Sequence, residues 1–296
     1  MFQNASADTD IRQRYVKVAL VGNPNSGKSS LFNSLSGLHQ KIANFPGVTV
    51  EKKIGHCRIY NSANGSATSF EVIDLPGTYS LYPKSPDERI PFEVLCDPEN
   101  ESHPDMVVLL VDGTNLKRSL FLASQVIDLK IPCIIALNMM DLVKKEGIDI
   151  QLDELERRLG VRILPINARN EIGIEELKQA LIHPIPVPEK DIFYTGDLSP
   201  KMLMSLRQAL KLNSNYAALQ IAHHIDAIED FNLLGYQKVN AREIVQVSGD
   251  DFENLKSYET LERYKVIQDI LVHSVHQGEK EKKSGFSKKI DMLLMH

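Results

Sequence analysis

Residues 22–29 read Gly-Asn-Pro-Asn-Ser-Gly-Lys-Ser, set between the apolar run Val16–Val21 and a helix-compatible stretch from Ser30 to Leu35. A G-x-x-x-x-G-K-[ST] turn joining a strand to a helix is a phosphate-binding loop, and it confines the chain to α/β folds in which that loop crowns a parallel strand. Each residue type has a physical task. Gly22 and Gly27 permit a tight turn whose backbone N–H groups point at an anion, and the following helix adds its positive N-terminus. Lys28 neutralises phosphate charge, and the Ser29 hydroxyl ligates Mg²⁺. The phosphate-contacting set is therefore Gly22, Asn23, Pro24, Asn25, Ser26, Gly27, Lys28, Ser29 and Ser30.

Two later motifs sharpen this. Asp74-Leu75-Pro76-Gly77 ends the apolar run Phe70 to Ile73, so its carboxylate sits at a strand end, where it reaches Mg²⁺ through water. The Gly77 N–H is left for a γ-phosphate. Alone, D-x-x-G is equally a strand-ending turn; its place after the loop favours the metal reading. Asn138-Met139-Met140-Asp141 follows the strand Cys133 to Leu137. A carboxylate at Asp141 accepts hydrogen bonds from the guanine N1–H and 2-amino groups, which adenine does not supply. Facing the wrong base it is left unpaired, at a cost of about 1–3 kcal/mol or more.

Apolar strands alternate with amphipathic stretches up to about residue 183: strands at 16–21, 54–60, 70–74, 106–112, 133–138 and 162–166, helices at 29–35, 89–96, 116–129, 152–159 and 174–181. The alternation predicts an α/β domain over residues 1–183, a mostly parallel sheet with helices on both faces and a ligand at the carboxyl ends of its strands. His183-Pro184-Ile185-Pro186-Val187-Pro188 breaks the pattern and marks a boundary. From 184 to 277 the periodicity is helical throughout: Leu203, Leu206 and Leu210 share one face, Ile221, Ile225 and Ile228 a second, Tyr264, Ile267, Leu271 and Val275 a third. This is a small all-α bundle. Residues 278–296 are a charged linker and an amphipathic basic segment carrying Phe286, Ile290, Leu293 and Leu294, either a terminal helix docked on the bundle or a juxtamembrane segment.

Composition excludes several classes. The net charge is -5, and residues 184–277 hold 13 acidic against 9 basic side chains, which disfavours nucleic acid as a partner. Cys57, Cys96 and Cys133 are too widely spaced for a zinc site or a disulfide framework. No apolar run is long enough to span a membrane, so the chain is expected to be soluble. His223-His224 and the pair His273/His276 are placed in helices and read as ordinary partly packed histidines, with no iron site claimed.

The run Gly22 to Asn33, Asn44 to Glu51 (N-F-P-G-V-T-V-E), Asp74 to Leu81 (D-L-P-G-T-Y-S-L), Ser85-Pro86-Asp87-Glu88 and Ala136 to Asp141 (A-L-N-M-M-D) together resemble the bacterial ferrous iron transport protein B family, FeoB. The resemblance covers nearly the whole chain and is strongest in the first domain. It implies a Ras-like P-loop GTPase domain, a helical spacer or GDP-stabilising domain, and the stretch before a first transmembrane helix. The function implied is a GTP-binding, slowly hydrolysing switch of Fe²⁺ uptake, at the cytoplasmic face of the bacterial inner membrane in the full-length protein. Its implied partners are the protein's own C-terminal Fe²⁺-conducting membrane domain and small Feo-type accessory proteins, with oligomers allowed.

The resemblance also implies a first switch from about Leu38 to Gly55, polar and irregular, in which Thr49 closes over the γ-phosphate and adds a hydroxyl to Mg²⁺, with Gly47 and Val48 beside it. A second switch runs from Asp74 to about Glu88. Thr78 stands where small GTPases carry a water-orienting glutamine, so intrinsic turnover is expected to be slow. Asn25 is implied to ligate K⁺ in place of an arginine finger; its plainer role is a turn residue. Met139 replaces a lysine that covers the guanine. Asn167-Ala168-Arg169 replaces a Ser-Ala motif, with the Ala168 N–H aimed at guanine O6. Other readings are a soluble GTPase of ribosome assembly or tRNA modification, which calls for a basic RNA-reading appendage, and an ATP-using P-loop enzyme, disfavoured by Asn138 and Asp141.

Overall fold

The computed structural model describes residues 15–37, 40–45, 49–225, 238–248 and 254–277, so the tail 278–296 and Gly47 and Val48 lie outside the described residues. In chain order the first part comprises β1 (Val16–Gly22), α1 (Lys28–Ser36), β2 (Gln40–Asn44), β3 (Glu51–Tyr60), β4 (Ala67–Asp74), α2 (Pro86–Cys96), β5 (Met106–Asp112), α3 (Leu116–Asp128), β6 (Cys133–Asn138), α4 (Met140–Lys145), β7 (Ile148–Ile150), α5 (Leu152–Leu159), β8 (Ile163–Pro165) and α6 (Ile174–Leu181). The second comprises α7 (Pro200–Leu210), α8 (Asn215–His223), α9 (Lys238–Ser248), α10 (Leu255–Ser274) and β9 (Val275–Gln277).

One sheet has the order β2-β3-β4-β1-β5-β6-β8. Its pairs are parallel from β4 to β8, and β3 runs antiparallel to both β2 and β4. The β1 run is apolar at consecutive positions because both faces of a central parallel strand are covered. Val18 and Leu20 join Leu31 and Phe32 of α1 and Leu177 of α6 on one face. Ala19 and Val21 join Leu120 and Val126 of α3 on the other.

The first expected switch is not irregular throughout. Gln40–Asn44 and Glu51–Tyr60 form an antiparallel hairpin in register Gln40 to Gly55 through Asn44 to Glu51. All five residues of β2 are exposed, Ile42 by 69 %. Backbone pairing with β3 and the Gln40 side chain, which donates to Asn33 Oδ1 at 2.9 Å and Gly37 O at 3.1 Å, hold this strand, so no inside–outside alternation marks it in the sequence. The helical reading of 184–277 also needs correction at its end. The apolar spacing of α10 runs on through Val275, giving no stop signal, yet Val275–Gln277 pairs antiparallel with β7. His276 therefore lies on a strand and shares no helical face with His273.

Beyond the proline run, the chain crosses back over α3: the Asp128 carboxylate accepts the N–H groups of Ile192 and Phe193 at 2.7 and 3.0 Å. Helix α10 packs along α3 and α5. One apolar cluster continues from Val126 and Leu155 into Leu203, Leu219 and Ile267, so the two parts share a core. At the junction Arg263, fully buried, pairs with Asp128 at 2.7 Å and Glu259 at 2.5 Å. Among the described residues no helix is long and apolar enough to cross a membrane.

His224, at the end of α8, is packed between the Tyr82 and Phe92 rings. Burial lowers its pKa to about 4, against a hydrogen bond to Gln220 O that works to raise it. The unfolded chain thus takes up this proton first as pH falls. Stability is intact above the ordinary histidine pKa and is expected to decline by about 2–3 kcal/mol as pH drops from 6.5 towards 4. Urea unfolding of the parent and His224→Asn across that range checks this; an equal decline in both assigns it elsewhere.

Candidate nucleotide-binding site

The carboxyl ends of β1, β4 and β6 and the turn after β8 meet at one end of the sheet. At the β1 to α1 turn, Gly22 lies so close to β5 that a Cβ there would sit 2.7 Å from Leu110 O. Gly27 has φ +98°, and a Cβ would fall 2.3 Å from Asn138 Nδ2. Side chains are excluded at both. Asn25 is exposed with φ 63°, a left-handed conformation that asparagine tolerates, so it serves the turn whatever else it does. Ser29 and Ser30 are exposed in the first turn of α1.

Lys28 is buried, with Nζ donating to Gly22 O at 3.0 Å and Asn23 O at 3.1 Å. Burial lowers its pKa and the charge of Asp74 works the other way. Burial likewise raises Asp74, opposed by Lys28 and by Lys53, its cross-strand neighbour on β3. Asp74 Oδ1, Asn23 Oδ1 and Ser26 Oγ are buried with no hydrogen-bond partner among the described residues. Unpaired buried oxygens are costly unless a ligand or ion completes them. Oxygen donors of this kind, next to a glycine-lined turn, fit a hydrated hard cation and a phosphate. Gly77 closes this end: a Cβ on it would lie 2.9 Å from Pro24 N and 3.0 Å from Lys28 Nζ. Thr78 points inward, its hydroxyl donating to Ser80 O at 2.7 Å.

The base end is held by Asn138. Its Nδ2 donates to Ser26 O at 2.9 Å and its Oδ1 accepts the Ala168 N–H at 3.0 Å, tying the phosphate loop to the turn after β8. The Ala168 N–H, expected from the sequence to face guanine O6, is here bonded to the Asn138 side chain. Asn167 is buried and builds that turn, accepting the Asn170 N–H at 3.1 Å. Met139 takes φ 63°, rare for such a side chain, and starts α4 so that the exposed Asp141 falls in its first turn. A cavity of about 470 Å³ lies between Gly27, Asn138, Met139, Asp141, Ala168 and Arg169.

The fold thus gathers the loop, Asp74, Gly77, Asn138, Asp141 and Ala168. Thr49 is exposed between β2 and β3, and among the described residues no hydrogen bond joins it to the loop. Lys53 and Asn170 escaped the sequence reading. Lys53 is visible only through strand register, whereas the short Asn167–Asn170 spacing is a local turn signal.

Comparison with known proteins follows the same residues. The family model for ferrous iron transport protein B (FeoB_N) matches residues 16–181. The Fe(2+) transporter FeoB of Leptospira biflexa is 32 % identical over 294 residues, which cover 94 % of this chain and 40 % of that transporter. The chain therefore spans less than half the length of that relative. The cytosolic domain of L. pneumophila FeoB superposes with a TM-score of 0.70 at 31 % identity, covering 88 % of this chain and all of the other. A GDP-bound mutant NFeoB of S. thermophilus gives 0.66 at 30 % identity, with the same coverage. With the motifs, the sheet order and these likenesses in agreement, the chain belongs to the ferrous iron transport protein B family, as its N-terminal G-domain region.

Proposed function

We propose that this chain binds and slowly hydrolyses GTP and is the nucleotide switch of a ferrous iron transporter whose membrane domain forms the rest of a longer protein. The carrying observation is the convergence, at one sheet end, of Lys28 and the unpartnered Asp74 carboxylate with the cavity flanked by Asp141. The GDP-bound FeoB relative supports the choice of nucleotide.

Gly22–Ser30 cradles the phosphates, Lys28 holds charge on them, and Asp141 accepts the guanine N–H groups while Met139 and Arg169 flank the base. Ser29, Thr49 and, through water, Asp74 would hold Mg²⁺, which neutralises charge developing on the phosphates. Thr49 closes from the first switch, and the Gly77 N–H meets the γ-phosphate. Thr78, with its hydroxyl spent inside the loop, orients no water, which is why turnover is slow. Asn25, exposed on the loop, would hold K⁺ through its side-chain oxygen, and the ion's charge would stand where an arginine finger stands elsewhere.

In the full protein the partner is the C-terminal Fe²⁺-conducting domain, with small Feo-type accessory proteins and a place on the cytoplasmic face of the membrane. The excess acid of residues 184–277 argues against the RNA-directed alternative. Titration with labelled GTP and ATP tests the reading, followed by turnover in K⁺ and in Na⁺. GTP is expected to bind at least 100-fold tighter than ATP, on the order of the discrimination that buried hydrogen bonding supplies. Hydrolysis is expected to be faster in K⁺, and equal rates in the two salts would remove the role given to Asn25.

A further inference from the structure

Lys52 and Lys53 are successive residues of β3, and the pleat of the strand sends their side chains to opposite faces of the sheet. Gly55, two residues on and therefore on the face of Lys53, backs onto α1: a Cβ there would run into Ser36 and lie 3.3 Å from the Phe32 ring. Lys53 thus stands on the α1 face, the side from which the phosphate loop enters its helix. In the antiparallel pairing of β3 with β4 it lies directly opposite Asp74. Such cross-strand pairs share a face, with Cβ atoms about 4.5–5.5 Å apart. Lys52 goes the other way; it is buried, with Nζ 3.4 Å from Glu101 and 5.8 Å from the centre of the Phe45 ring.

Asp74 therefore has a cation on each side, Lys28 from the phosphate loop and Lys53 from β3, and both act against the burial that works to neutralise it. The two lysines are placed differently. Lys28 Nζ donates to the carbonyls of Gly22 and Asn23, inside the turn that meets the phosphates. Among the described residues Lys53 has no hydrogen bond or ion pair, so its charge acts on Asp74 through space and is not taken up by another acid. Asp74 Oδ1, buried and without a hydrogen-bond partner, is the oxygen at which a hydrated cation would arrive. That cation meets Lys53 across the strand pair. In a half-buried site a unit charge at such a separation changes the affinity for a divalent ion by roughly an order of magnitude, less at high salt.

We propose that Lys53 sets the Mg²⁺ requirement of the nucleotide complex: its ammonium offsets the Asp74 charge before the metal arrives and opposes the metal once it is there. Without metal, the phosphates then face a partly neutralised carboxylate in place of a bare one. With phosphates bound, their negative charge outweighs Lys53 and the divalent ion enters. Lys53 is a positioning residue that acts through Asp74, and the inference rests on the nucleotide reading above. It has a signature that a packing role lacks, because removing the ammonium strengthens metal binding while weakening metal-free nucleotide binding.

Two titrations on the 296-residue chain test it: Mn²⁺, an EPR-visible substitute for Mg²⁺, into the GDP complex, and fluorescent GDP into the chain in EDTA. Lys53→Met, which keeps the length of the stem, is expected to bind Mn²⁺ at least about five-fold tighter and to bind metal-free GDP at least about three-fold more weakly. Lys53→Gln should move both in the same directions, and Lys53→Arg should stay within about two-fold of the parent in both. Lys52→Met, which removes the neighbouring charge from the opposite face, should leave the Mn²⁺ affinity within about two-fold. An unchanged Mn²⁺ affinity in Lys53→Met overturns the proposal. So does a weakening of metal and nucleotide together, which is damage to the β2–β3 hairpin, or an equal metal shift in Lys52→Met. Failure of the parent to bind fluorescent GDP with or without metal overturns instead the nucleotide reading beneath it.

Discussion

Arg263→Met is expected to destabilise the chain by about 3–5 kcal/mol, the cost of leaving a buried ion pair without one partner. Arg263 and Glu259 are fully buried and Asp128 is 1 % exposed, so water cannot replace the lost cation. The methionine keeps much of the volume, which separates charge from cavity. Asp128 retains two backbone donors from Ile192 and Phe193, and Glu259 retains three side-chain donors besides Gln125, so the loss stays below that of two bare carboxylates. The guanidinium also stacks 4.6 Å from the Tyr216 ring centroid and 5.2 Å from that of Phe193, contacts a thioether partly replaces. Denaturant midpoints at neutral pH read the effect. Adding Glu259→Leu to Arg263→Met is expected to deepen the loss, because the buried donors of Tyr82, Tyr216, Gln125 and Gln220 are then left without their acceptor. A loss under about 1 kcal/mol for the single variant would mean that water or rearrangement reaches this junction.

Asp141→Asn is expected to weaken guanine-nucleotide binding about 1,000-fold, in the range set by a site that leaves polar groups unpaired. An amide presents N–H where the carboxylate accepted, so it faces the guanine 2-amino group donor to donor. The same amide suits xanthine, which carries a carbonyl at that position, and binding of xanthosine nucleotides is expected to rise. Asp141 is exposed in the first turn of α4 and makes no hydrogen bond or ion pair among the described residues, so the substitution should leave stability within about 0.5 kcal/mol of the parent. Parallel titrations with fluorescent GDP and XDP measure both halves. Unchanged preference for guanine would move base recognition away from Asp141, to the Asn167–Asn170 turn.

Much of the sheet was legible because its strands declare themselves. Four consecutive residues of β1, Val18 to Val21, are each 1 % exposed or less, and only a two-sided burial accounts for such a run. The helices α3, α5 and α6 carry apolar residues at helical spacing for the same reason. Strand β2 was illegible: it faces water along its whole length and exists through pairing with β3. Strand β9 was masked by the helical spacing that α10 carries into Val275.

The site divides along similar lines. Gly22, Gly27, Lys28, Asp74, Asn138 and Asp141 were chosen from local motifs, because a phosphate loop and a base-reading carboxylate each need a fixed chemistry at a fixed spacing. The structure then gave some of them second tasks. Asn138 is a strut between the phosphate loop and the turn after β8, and it engages the Ala168 N–H that the motif alone offered to the base.

What the sequence determined by itself was the phosphate loop, the parallel core it crowns and the family, all encoded in contiguous residues whose meaning is local. What tertiary structure alone decided was which distant residues meet: Lys53 beside Asp74, and Tyr82, Gln125 and Glu259 around Arg263. Burial is the physical reason. A charged or hydroxyl side chain in sequence looks the same whether water or a carboxylate completes it, and only the packing of α10 on α3 removes the water.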